Sequence, residues 1–192
     1  MRVKMRIAQL APMDEKNFKK LIICLDNDRY NEYYSGMSGR LSQEIKQTKP
    51  FSSLETEAIL NVQRTADEFG RALTEALKPM DISPTQYNAL RILQGAGPAG
   101  WSCSEIAERM VTRDPDITRL IDRLEKRGLV QRARGEKDRR VVTVRITPQG
   151  SRVLAELAPM LAGLERKLLG HLGADRLKTF IDLLEEARAG AQ

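Results

Sequence analysis

Residues 114–147 read DPDITRLIDRLEKRGLVQRARGEKDRRVVTVRIT. The period of this stretch changes half-way. Ile117, Leu120, Ile121 and Leu124 stand at i, i+3, i+4 and i+7, the apolar stripe of an amphipathic helix. A helix is therefore expected to open at Asp114-Pro115 and to close at Gly128, a residue type suited to a C-terminal cap. Its other side carries Asp116, Thr118, Arg119, Asp122, Arg123 and Lys126. Beyond Gly128 two β-rich runs follow, Leu129–Arg134 and Val141–Ile146. In the second, Val142, Val144 and Ile146 alternate with Val141, Thr143 and Arg145, the period of a half-buried strand whose inward side is the first set. Gly135–Arg140 between them reads as a charged hairpin tip.

Helices are expected on both sides of this stretch. Upstream, Ser102 and Glu105 form a capping box for a short helix with Ile106, Ala107 and Met110 inward. Ser83-Pro84-Thr85-Gln86 opens another, with Ser as the cap and Pro at the first helical position; it runs through Tyr87, Leu90 and Leu93 to the loop Gly95–Gly100. Further back, Ser52 and Glu55 read as a capping box before a seam of Ile59, Val62, Ala66, Phe69, Leu73 and Ala76, ending near Lys78-Pro79. Downstream, Thr147-Pro148 caps a helix with Val153, Leu154, Leu157, Leu161, Leu164 and Leu168 on one side and a kink expected at Pro159. After Gly170–Gly173 a last helix carries Leu177, Phe180, Ile181 and Leu184.

The fold class expected is mainly α with a small β-hairpin. Three short helices followed by a charged hairpin make a winged helix-turn-helix, here flanked by long helices at both ends. The apolar stripe of the helix at 117–124 can be held by two supporting helices while its polar side enters a DNA major groove about 12 Å wide. Thr118, Arg119 and Arg123 supply donors, and Asp116 can accept from a cytosine amine. The hairpin can reach a neighbouring minor groove, where arginine gains from concentrated negative potential. Charge agrees with this: residues 109–152 hold 13 Lys and Arg against 6 Asp and Glu, a net of +7, whereas the whole chain of 192 residues carries only +6. A basic block on an otherwise acidic chain is the footprint of a polyanion binder. Expected DNA contacts are thus Asp116, Thr118, Arg119 and Arg123 on the helix, and Arg134, Lys137, Arg139 and Arg140 on the hairpin. Asp138 is expected to orient an arginine through a carboxylate–guanidinium pair. Asp122 and Glu125 are expected to pair within the helix.

Two segments carry the resemblance to a known family. Asp116–Val130 (DITRLIDRLEKRGLV) is similar to the recognition helix of the multiple-antibiotic-resistance regulator (MarR) family, and Asp138–Gly150 (DRRVVTVRITPQG) to its wing. Ser102–Met110 resembles the helix before. The resemblance covers roughly Ser52 to the C-terminus. It implies a ligand-responsive repressor that binds a pseudo-palindromic operator in double-stranded DNA as a homodimer. In that reading 52–80 and 149–189 are dimerisation helices, 83–148 is the winged helix, and 37–192 form one domain. Ile59, Val62, Phe69, Leu177, Phe180, Ile181 and Leu184 would meet the second copy. The alternative is a winged-helix adaptor or architectural protein without small-molecule response; sequence-specific duplex binding with a steep salt slope separates the two.

Residues 1–36 lie outside the resemblance and hold three of the four tyrosines. They read as an N-terminal extension, either foreign to the native chain or disordered, with a short docking arm as the rival reading. No run of about 18 apolar residues exists for a membrane span, and no continuous apolar segment suggests a secretory signal. Two cysteines, Cys24 and Cys103, make no disulfide framework, so a cytoplasmic protein is expected. With one histidine, His171, they also make no common zinc site, and no cofactor is expected. No nucleophile–base pair or phosphate loop points to an enzyme. Cys103 reads as a small structural thiol ahead of an oxidant sensor, His171 as structural, and Trp101 as an apolar anchor at the hairpin base.

Overall fold

The computed structural model describes residues 39–112, 116–134 and 142–190. Residues 1–36, read above as an extension, lie outside them. The elements run α1 (Arg40–Glu44), α2 (Leu54–Leu77), α3 (Pro84–Ala96), α4 (Cys103–Arg109), α5 (Ile117–Lys126), β1 (Val130–Arg134), β2 (Val142–Ile146), α6 (Pro148–Leu169) and α7 (Gly173–Ala189). The described residues divide into two units with the boundary inside α2, between Ala66 and Asp67. In the first unit, α1 buries Leu41, and Glu44 pairs with Arg40 at 3.2 Å and with Arg64 at 3.7 Å.

Helix starts follow the expected capping chemistry, with one slip. The Ser83 hydroxyl accepts from the Gln86 N–H, and the Gln86 side chain accepts from the Ser83 N–H. Ser102 and Glu105 do the same for α4, and Thr147 caps α6 through the Gly150 N–H at 3.1 Å. For α2 the cap is Ser53, whose hydroxyl accepts from Thr56 N–H at 3.2 Å, not Ser52. Both serines reach Thr56, and the backbone starts its helix at Leu54, which leaves Ser53 in the capping position. Helix α6 runs as one element through Pro159.

The second unit is built on one apolar core. Leu77, Leu90, Leu93, Ile106, Ile121, Leu124, Val130, Val144 and Leu157 are its fully buried large side chains, drawn from α2 through α6 and both strands. Each such side chain contributes roughly 1.5–3 kcal/mol on leaving water. Ala107, expected inward, is exposed. Ile106 and Met110 already cover the core at i and i+4, and one residue further on the seven-residue helix turns Ala107 to solvent.

The winged helix-turn-helix is present as expected: α3, α4 and α5, then an antiparallel hairpin in register Val130↔Ile146 to Arg134↔Val142. Gly128 takes φ +68 after α5 and lets Leu129 N–H return to Leu124 O at 3.0 Å. Leu129 is therefore a buried turn residue ahead of β1 rather than part of it. Val144 is buried, but Val142 is 40% exposed, because it sits at the far end of the ladder opposite Arg134, away from the core. A third short rung joins the hairpin at its root: Trp101 N–H donates to Val144 O at 3.0 Å, and Val144 N–H donates to Trp101 O at 2.7 Å. Gly150 allows the start of α6 to lie against the β1 turn, since a Cβ there would overlap the Leu129 carbonyl.

Candidate nucleic-acid interface

Helix α5 presents the candidate recognition surface. Ile117, Leu120, Ile121 and Leu124 are buried, which fixes the helix by its apolar side and turns the rest outward. Arg119, Arg123 and Lys126 then form an exposed line at i, i+4 and i+7. Thr118 is exposed beside them. Arg119 touches one carboxylate, the Asp116 side chain at 3.1 Å from its Nε, in a pair with the arginine side chain 78% exposed. An exposed pair of this kind contributes about 0–1 kcal/mol, so a phosphate can take the carboxylate's place at little cost.

The carboxylates of the same helix are otherwise engaged. Asp116 is the N-cap of α5: its Oδ1 accepts from Arg119 N–H at 3.0 Å. The base contact expected of Asp116 therefore competes with its capping bond. The sequence reading of Asp122 and Glu125 as partners of neighbouring helix cations is corrected. Both reach across to Arg132 on β1, at 2.6 Å from Asp122 Oδ1 and 2.5 Å from Glu125 Oε2. Glu125 Oε1 also accepts from the Arg132 backbone N–H at 2.9 Å. Burial alone would lower the Arg132 guanidinium, but hydrogen bonds to Asp122 and Glu125 outweigh it and hold the group above the ordinary arginine value. The clamp fastens the hairpin to α5 and neutralises two acids that would repel a phosphate backbone.

Two further links set the frame. Arg127, at the C-terminal end of α5, donates through Nη1 to Asp81 O and through Nη2 to Met80 O at 2.8 Å, tying the turn before α3 to α5. The Arg109 guanidinium lies over the Trp101 ring, 4.0 Å from its centroid, so the end of α4 rests on the hairpin root. Sequence reasoning missed both, because each joins residues that no local period relates.

Of the expected hairpin contacts, Arg134 ends β1 opposite Val142. Lys137, Asp138, Arg139 and Arg140 lie outside the described residues, as do Asp114 and Pro115. Of the residues expected to meet a second copy, Ile59 and Val62 on α2 are exposed at 58% and 50%. Phe69 on α2, and Leu177, Phe180 and Leu184 on α7, are half-buried, Ile181 is exposed, and α7 buries no residue at all. Cys103 is half-buried against the core, and His171 is exposed in a single turn of 3-10 helix. Among the described residues no group of His, Cys, Asp and Glu is placed to hold a metal ion, and no helix is long and apolar enough to cross a membrane.

Comparison with known proteins places this geometry. The MarR family model matches residues 82–142, from the start of α3 to the first residue of β2. A MarR transcription factor from Planctomyces limnophilus is 42% identical, and its solved structure superposes with a TM-score of 0.55 over 71% of this chain and 98% of that one. A cysteine-to-serine mutant of MarR from Escherichia coli, solved in complex with operator DNA, is 27% identical with a TM-score of 0.62 over 71% of this chain and 99% of that one. The HTH-type transcriptional repressor MdtR of Bacillus subtilis is 30% identical over 102 residues, which cover 53% of this chain and 64% of that protein.

Proposed function

Since this chain belongs to the MarR family of DNA-binding transcription regulators, we propose that it is a homodimeric, ligand-responsive repressor that binds a pseudo-palindromic operator in the cytoplasm. The observation that carries the DNA-binding part is the line Arg119, Arg123 and Lys126 on a helix pinned by four buried apolar residues. Thr118, Arg119 and Arg123 contact bases or phosphates in the major groove. Arg134, Lys137, Arg139 and Arg140 serve the hairpin, with Asp138 orienting an arginine. We assign Asp116 first to the cap. The repressor role is supported by the likeness to MdtR and to an operator-bound relative. Response to a small molecule rests on family membership alone, and the role needs no catalytic group.

The homodimer is supported by the exposed apolar residues of α2 and α7. Residues 52–80 and 149–189 are accordingly read as dimerisation helices around the winged helix at 83–148. The test is the double variant Arg139→Ala/Arg140→Ala, in salt-series mobility shifts on an operator duplex obtained by selection. Its affinity should fall at least tenfold, about 1.4 kcal/mol, and the log K against log salt slope should flatten by about 0.9 per contact and copy. Folding stability should move by roughly 0.5 kcal/mol or less, as for surface changes. Unaltered affinity and slope would end the proposed role of the hairpin.

A further inference from the structure

An open groove of about 560 Å³ lies where the end of α2, the start of α3 and the C-terminal half of α5 meet. Its size is that of a small-molecule site, about 300–1,000 Å³. Four cations line it, Lys78, Arg123, Lys126 and Arg127, against the single carboxylate of Asp81, and the Ser83 hydroxyl stands on its wall. Two of these cations are already engaged. Lys78 pairs with Glu75 at 2.6 Å, and Arg127 is bonded to the Met80 and Asp81 carbonyls. Arg123 and Lys126 make no hydrogen bond or ion pair among the described residues. Two uncompensated cations beside two compensated ones, in a concave wall, concentrate positive potential. The positive end of the α3 dipole adds to it, since α3 is 13 residues long and starts at this wall.

We propose that this groove binds an oxyanion of the phosphate class, held by Arg123 and Lys126 and by Lys78, whose exposed pair with Glu75 contributes little and can give way to the anion. The anion has two possible sources, a backbone phosphate of bound duplex or a free phosphate-bearing molecule. Only the first rests on the DNA-binding role of α5. The site extends beyond the DNA-facing line of α5, because Lys78 at the end of α2 is not part of it.

The full-length double variant Lys78→Gln/Lys126→Gln tests the site in two arms. In the first, the melting temperature is compared in inorganic phosphate and in chloride at equal ionic strength. Phosphate stabilises folded chains generally by exclusion from their surface, so a free-anion site shows as a larger rise in melting temperature for the wild-type chain than for the variant. In the second arm, a mixed-sequence duplex is titrated over a salt series. A backbone-phosphate site lowers the variant's log K against log salt slope by about 0.9 per lost contact. Either result supports the site and names its source. An equal phosphate shift in the wild-type chain and the variant, together with an unchanged slope in the variant, overturns it. Arg119→Ala on the same duplex separates the failures. If it weakens binding while the groove variant is silent, only the groove is lost. If it is silent while the larger wild-type phosphate shift persists, the groove stands and the reading of α5 falls.

Discussion

Helices α5 and α7 carry apolar residues at the same spacing: Ile117, Leu120, Ile121, Leu124 in one, and Leu177, Phe180, Ile181, Leu184 in the other. In α5 all four are buried; in α7 none is. The spacing says which side of a helix wants cover. It does not say whether the same chain supplies it. Helix α5 is covered because α3, α4 and β1 return to it within a few tens of residues. Helix α7 comes last, after the core has already been closed by α6, and its stripe is at most half-buried within the chain.

The contrast can be broken most forcefully at Leu124. It is fully buried, so Leu124→Ala should cost about 2–5 kcal/mol in urea unfolding. A loss below about 1 kcal/mol, the size of an ordinary surface change, would mean α5 is not pinned as described. At Phe180 the expectation is different in kind. Phe180→Asp should leave the core standing and shift the chain from dimer to monomer in sedimentation velocity. An unchanged dimer would show that α7 is covered some other way.

The Arg132 clamp sharpens the comparison from the polar side of α5. Arg132→Ala leaves Asp122 and Glu125 without their partner. Because both carboxylates are partly solvated, the loss should be only about 1–2 kcal/mol. Duplex binding should weaken as well, since two acids are unmasked on the recognition helix. The smallest effect belongs to the cap of α4. Hydrogen bonds from the Ser102 backbone and side chain hold the Glu105 carboxyl below its ordinary value of 4.5. A lowered carboxyl stabilises the fold fully above that ordinary value, and its contribution fades as pH falls through the lower folded value. Melting of the wild-type chain followed downward from neutral pH should therefore fall slightly more steeply than that of Glu105→Gln, and coincident curves would remove Glu105 from the acid response.

What could be read in advance was local. The caps at Ser83, Ser102 and Thr147 and the stripe of α5 depend on residues three or four apart, and they stand as expected. The slip from Ser52 to Ser53 has a local cause too, since two adjacent serines compete for one cap. The relations that shape the candidate site are not local. Glu125 chooses Arg132, seven residues on and in a different element, over the cations of its own helix. Arg127 reaches back 46 residues to Asp81, and Trp101 pairs with Val144. Such pairs form only once the core has brought the elements together, so no period in the chain announces them. Val142 and Ala107 show the converse: a correct period marks a side of an element but not where that side runs out of core.

Trp101 is the only tryptophan of the chain. It is hydrogen-bonded to the root of the hairpin and lies beneath a guanidinium. The protein thus has a built-in optical gauge. Its indole emission comes from a single place, beside a positive charge that contributes to the field at the ring. A rearrangement of the hairpin root that moves this charge relative to the ring would be read without a label, in the same cuvette in which duplex or small molecule is added.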